Sequence, residues 1–145
     1  MKNEALSRLE GLIGRWKLTL TDAVFLESRE DKVEATSTFE WISDAFILWH
    51  WVGGDDPAQD AHLVFGRSDA NDREVAIYHD GRGVCRIFEM TFGDGQWTLT
   101  RDDPDFHQRF IATVEADRIE GRWEASDDAG ATWRKDFDLI FERAG

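Results

Sequence analysis

From Gly14 to the end of the chain, apolar and polar residues alternate with a period of two, and short clusters rich in Gly, Asp and Asn interrupt the alternation. In the first run Trp16, Leu18 and Leu20 alternate with Arg15, Lys17, Thr19 and Thr21. Val33, Ala35, Ser37, Phe39 and Trp41 form one face of a second run, and a third, Phe46 to Val52, is apolar on both faces. His62 to Arg67 and Glu74 to His79 follow, and then Val84 to Phe92, bracketed by Asp80-Gly81-Arg82-Gly83 and Gly93-Asp94-Gly95. Trp97, Leu99 and Arg101 share a face of the next run. Phe106, Phe110, Ala112 and Val114 alternate along its successor, then Ile119, Gly121 and Trp123, and finally Trp133, Phe137, Leu139 and Phe141. Gly53 to Pro57, Asp69 to Asp72 and Asp102 to Asp105 read as loops.

Only one segment has another period. Leu6, Leu9 and Leu12 or Ile13 recur at helical spacing behind Asn3, a capping residue, with Gly11 as a left-handed stop, which predicts a helix of about two to three turns. Its apolar stripe needs cover, and an open barrel end supplies it. About ten strands joined by short turns, with no second helix, favour sequential antiparallel pairing. Closing so large a sheet removes two aggregation-prone edges, so residues 1–145 are expected to form a single all-β, up-and-down antiparallel barrel; a two-sheet sandwich is the alternative.

Composition narrows the functional classes. A chain of 145 residues buries roughly two thirds of its unfolded surface as one domain, and seven Trp and ten Phe argue against disorder. The net charge of -13 repels phosphate backbones and anionic lipids, so neither nucleic acid nor a membrane surface is an expected partner. Met1-Lys2-Asn3-Glu4-Ala5-Leu6 lacks an apolar h-region, no stretch reaches the ~18 apolar residues of a membrane span, and the single Cys85 cannot form an internal disulfide; a cytoplasmic protein is expected.

Two local patterns carry structural detail. Gly14-Arg15-Trp16 stands where helix gives way to strand, and we expect Trp16 to pack into one barrel end with the Arg143 guanidinium over its indole, joining the first strand to the last. Ser126-Asp127-Asp128-Ala129-Gly130-Ala131-Thr132-Trp133 fits the Asp-box pattern S-x-D-x-G-x-T-W, here a hairpin turn between the last two strands. The Gly-x-Trp opening with Arg143 resembles the closure signature of the calycins, the lipocalins and fatty-acid-binding proteins. Asp80-Gly81-Arg82-Gly83-Val84-Cys85-Arg86, Phe106-His107-Gln108-Arg109-Phe110 and Ile119-Glu120-Gly121-Arg122-Trp123-Glu124, running into the Asp-box and Asp136-Phe137-Asp138-Leu139, resemble small bacterial proteins of the DUF1579 type over most of the chain. That resemblance implies the barrel and no activity. It extends to the nitrobindin-like barrels, which hold haem through a histidine late in the chain; here the last is His107, ahead of the final two strands.

Candidate chemistry is sparse. The chain has no His-x-His, H-E-x-x-H, paired Cys, G-x-S-x-G or Asp-x-Asp-x-Asp-Gly, so no metal site is predicted and no cofactor is assigned. Cys85 reads as a small buried hydrophobe. Four polar residues share a face with apolar neighbours: Arg86 between Val84 and Phe88, His79 after Val75 and Ile77, Gln108 between Phe106 and Phe110, and His50 between Leu48 and Val52. If those faces turn inward, the barrel holds a small apolar or amphipathic molecule whose anionic group meets Arg86, helped by His79 or Tyr78. The alternative for Arg86 is an internal pair with Glu89 or Glu40, and for Arg109 surface pairs with Asp103 and Asp105. Three other readings use the same residues: an isomerase, cyclase or decarboxylase with His79 as acid or base and Arg86 at an oxyanion; a haem protein with His79 or His107 as axial ligand; and a barrel filled by its own Trp and Phe side chains. Trp49 and Trp51 alternate with Leu48, His50 and Val52, and outward indoles would suit a homodimer.

Overall fold

A computed structural model describes residues 2–23, 28, 31–53, 60–70, 73–103 and 106–144. The alternating runs form ten strands: β1 Gly14–Thr21, β2 Lys32–Ile42, β3 Phe46–Gly53, β4 Ala61–Arg67, β5 Glu74–Asp80, β6 Cys85–Gly93, β7 Gln96–Asp103, β8 Phe106–Val114, β9 Arg118–Ser126 and β10 Arg134–Arg143. Each pairs antiparallel with its chain neighbours, and β10 returns to β1, closing the barrel. Closure leaves no unpaired sheet edge. Gly54 to Pro57, Asn71, Asp72, Pro104 and Asp105, expected as loop positions, lie outside the described residues.

The helix is a 3₁₀ helix, Glu4–Leu12, and Asn3 caps it as expected, its side chain accepting the Ala5 N–H at 3.0 Å. The same side chain donates to the Ala45 carbonyl at 3.1 Å, which ties the helix to the β2–β3 turn. Gly11 lies inside the helix; Ile13, with extended backbone, ends it, and the positive φ falls at Gly14 (131°), where the chain swings into β1. A side chain at Gly14 would meet the Arg143 guanidinium at 3.0 Å. Leu6, Leu9 and Leu12 are fully buried and close this end of the barrel. Arg8 reaches down to pair with the buried Glu74 of β5.

Inside, the lumen above the helix is packed with rings. Trp49 of β3 lies 5.2 Å from Trp97 of β7, 6.3 Å from Phe110 of β8 and 5.7 Å from Phe141 of β10, and Phe39 of β2 lies 5.9 Å from Trp97. Because these contacts join strands on opposite walls, the rings meet across the barrel axis, and at this depth the side chains fill it. Gly121 of β9 makes room for one of them: a Cβ there would stand 2.6 Å from the Phe110 ring. Trp49 and Trp51, expected to offer an indole to a second copy, both point inward, Trp49 fully buried and Trp51 packed against the core.

The seam is as the sequence implies. Trp16 is paired in register with Arg143, whose guanidinium lies 4.0 Å from the indole centroid. That guanidinium also donates to the Ile13 carbonyl at 3.1 Å, to Gly11 at 2.6 Å and to Ala116 at 3.1 Å, so one side chain holds the helix end, β1, β10 and the β8–β9 turn. The Asp-box forms the β9–β10 turn: Asp128 accepts the Thr132 N–H at 2.8 Å, Ser126 accepts that of Gly130 at 2.9 Å, and Gly130 takes φ 86°. Among the described residues no helix is long and apolar enough to cross a membrane.

Candidate functional site

Opposite the helix, polar side chains interrupt the inner surface of the barrel. Tyr78 and Arg86 face each other across the β5–β6 ladder, and Gln108 comes in from β8. Arg86 Nη1 donates to Gln108 Oε1 at 3.0 Å, and its guanidinium stands 5.8 Å from the Tyr78 ring. A bulge between Lys135 and Phe137 leaves Asp136 unpaired in the β9–β10 ladder, and a bulged residue is one whose side chain is re-aimed. Rings surround the group: Trp51 lies 6.3 Å from Tyr78, while Trp123 contacts Phe88 at 5.4 Å and Phe137 at 6.4 Å.

Asp80 organises the near side. Its side chain is 2% exposed and accepts the Tyr78 hydroxyl at 2.7 Å, Arg82 Nη2 at 2.6 Å and Nε at 3.1 Å, and the Arg82 N–H at 2.9 Å. Burial alone pushes this carboxyl up, but the bonds from Arg82, Tyr78 and two backbone amides outweigh it and hold the group well below the usual carboxylate range. Burial raises the Asp136 carboxyl, and the positive charges of Arg134 and Arg86 oppose that rise without cancelling it. Burial, and then the bond to anionic Asp80, push the Tyr78 phenol from 10.0 up to about 12.

Tyr78 is the only tyrosine in the chain, so this last shift can be read without ambiguity. Phenolate absorbance is expected to titrate near 12 in the folded protein and near 10 after unfolding. The folded state prefers the neutral phenol, so this contribution to stability is complete below the unfolded value and falls as pH rises from about 10 towards 12. A midpoint near 10 in the native protein would show that the Tyr78–Asp80 pair is not formed.

Of the residues singled out from the sequence, Arg86, Tyr78 and Gln108 are brought together. His79 and His50 are not. In β5 the inner face is Glu74, Ala76 and Tyr78, because Ala76 is paired with both Phe65 and Phe88 and only a small side chain fits between two inward phenylalanines. Val75, Ile77 and His79 therefore face outward, as do Leu48, His50 and Val52, whose alternates Trp49 and Trp51 hold the interior. An acid–base pair of His79 with Arg86 is consequently split by the barrel wall. His107 alternates with buried Gln108 and stands 3.6 Å from Asp102, and exposed His62 alternates with buried Leu63, so all four histidines lie on the outer wall and none is placed to ligate a haem inside.

Two other expectations change, for Arg86 and for Cys85. Arg86 pairs with neither Glu89 nor Glu40; Glu89 is outside, bonded to Arg73 at 3.1 Å. Arg109 takes Glu124 at 2.5 Å and lies 4.0 Å over Trp133, while its expected partners, Asp105 and the side chain of Asp103, lie outside what the structure describes. Cys85 is exposed, the opposite of a buried hydrophobe. Asp80 and Asp136 were not anticipated. Asp80 looked like an ordinary turn residue ahead of Gly81, and no sequence pattern marks a one-residue bulge. No protein-family model matches this chain and no curated protein resembles it significantly, so what it does must be argued from these side chains.

Proposed function

We propose that the protein is a binding protein that takes a small, mainly apolar anion at the end of its barrel opposite the helix, with Arg86 meeting a carboxylate or enolate group. One observation carries this reading. Arg86 is a partly buried guanidinium on the inner wall, and among the described residues its side chain bonds only to the neutral Gln108, with no carboxylate in ion-pair contact. A partly buried cation whose one side-chain hydrogen bond goes to a neutral acceptor is stabilised by an incoming anion, and the fork geometry of guanidinium suits a carboxylate. Tyr78, Trp51, Trp123 and Phe137 supply apolar walls beside it. Since the rings fill the lumen below, the apolar part of the ligand rests on the ring layer instead of entering deeply. The Trp16–Arg143 contact, which the likeness to the calycins implies, and the lone cysteine support kinship with that group and a cytoplasmic location as parts of the same reading.

The test is calorimetric titration with a panel of aromatic and medium-chain carboxylates. Removing a hydrogen bond to a charged group costs about 1.5–3 kcal/mol, so Arg86→Ala should weaken every binder by about 10- to 100-fold. Arg86→Lys should recover only part of the loss. If Arg86→Ala leaves all affinities unchanged, Arg86 is not the anchor and this reading fails.

A further inference from the structure

The outer wall of β3 to β6 gathers residues that the sequence scatters over more than thirty positions. His50 is paired in register with His62, His62 with His79, and His79 with Cys85. Three of the four histidines and the only cysteine of the chain thus form one row across four adjacent strands. All four alternate with inward residues, so all stand on the solvent side. The imidazoles of His62 and His79 are 5.1 Å apart and stacked at 26°, and His50 follows at 6.4 Å from His62.

We propose that this row is a binding site for a divalent transition-metal ion, with the imidazoles of His62 and His79 as its two protein ligands and solvent completing the coordination. Directly paired residues on neighbouring strands hold their Cβ atoms about 4.5–5.5 Å apart, a span that two imidazoles bridge onto one ion. Among the described residues no group of three or more His, Cys, Asp or Glu side chains stands ready to hold a metal. The site is accordingly a pair, and the stacked rings must turn about their side-chain torsions to converge. Exposed His62 has the freedom to do so. His79 supplies a second reason: its Nδ1 is buried and has no hydrogen-bond partner, a state that a bound ion relieves.

The surroundings favour a borderline transition ion over Ca²⁺ or Mg²⁺. The two ligands are nitrogens, the flanking positions offer a third imidazole and a thiol, and hard ions require oxygen. The next row of the same face is Leu48, Val64, Ile77 and Ile87, which supplies no competing carboxylate. This site lies on the opposite side of the wall from Arg86, so it stands or falls independently of the ligand reading above.

Calorimetric titration of the full chain with Zn²⁺, Ni²⁺ and Mg²⁺ tests it. One site for Zn²⁺ and Ni²⁺ and none for Mg²⁺ is expected, with a rise in melting temperature in excess Zn²⁺ because the ion binds the folded state. His62→Ala and His79→Ala should each weaken binding by more than the roughly 10–100-fold that loss of an outer partner costs, and His107→Ala, which removes the remaining histidine, should leave it intact. Both pair variants change outward side chains, and unaltered near-ultraviolet circular dichroism will show that they fold. Absence of Zn²⁺ binding in the native chain, or binding that survives both pair substitutions in folded protein, overturns the proposal.

Discussion

Trp49→Ala is expected to destabilise the protein by about 3–5 kcal/mol, the range for deleting a large buried ring. Trp49 is fully buried and contacts rings from β2, β4, β7, β8 and β10, so no neighbour can fill the space without abandoning its own packing. A second loss accompanies the first. The indole N–H donates to the Ser37 hydroxyl at 2.7 Å, and that serine is itself fully buried, so truncation strands a polar group as well as opening a cavity. Domains of this size are stable by about 5–15 kcal/mol, so the substitution removes a large share of the total. Guanidinium unfolding should show a much lower midpoint with an unchanged slope. Trp49→Phe, which keeps most of the ring and loses the donor, should fall between the two. A shift below about 1 kcal/mol for the alanine variant would mean that the rings do not meet across the axis.

Arg143→Ala is expected to cost about 2–4 kcal/mol, since hydrogen bonds from a charged donor contribute about 1.5–3 and a cation over an indole about 0.5–2. The informative comparison is Arg143→Lys. An ammonium keeps the charge over Trp16 but cannot fork to the carbonyls of Gly11, Ile13 and Ala116 together, so lysine should recover only the smaller part. The helix should loosen first: the Ile13 amide, bonded to the Glu10 carbonyl at 3.1 Å, is expected to lose hydrogen-exchange protection in the lysine variant while the Trp49 layer keeps its own. A lysine variant as stable as the native protein would reduce the contact to simple charge.

The barrel itself was legible in the sequence because a period of two recurs in run after run and the turn residues separate the strands cleanly. The direction each strand faces was legible only where one face is unmistakably larger. In β6 the run Arg86, Phe88, Met90 and Phe92 puts Arg86 on the larger face, and in β8 Phe110 does the same for Gln108. β5 misleads because size reverses the rule. Its interior positions hold Ala76 and Tyr78, the alanine being dictated by two phenylalanines on neighbouring strands, while the bulkier Val75 and Ile77 are left outside with His79. Such a choice is made across strands, and no periodicity within one strand encodes it. The histidine row is hidden for the same reason: His50, His62, His79 and Cys85 share no local motif and meet only through the registers of three separate ladders.

Trp51 lies 4.8 Å from Trp49 and 6.3 Å from Tyr78, and Tyr78 stands 5.8 Å from the Arg86 guanidinium. Indoles this close exchange excitation energy, so light absorbed deep in the ring layer can be emitted or quenched beside the mouth. A molecule settling against Arg86 would then change the emission of tryptophans it never touches, and the native chain would report its own occupancy without an attached dye.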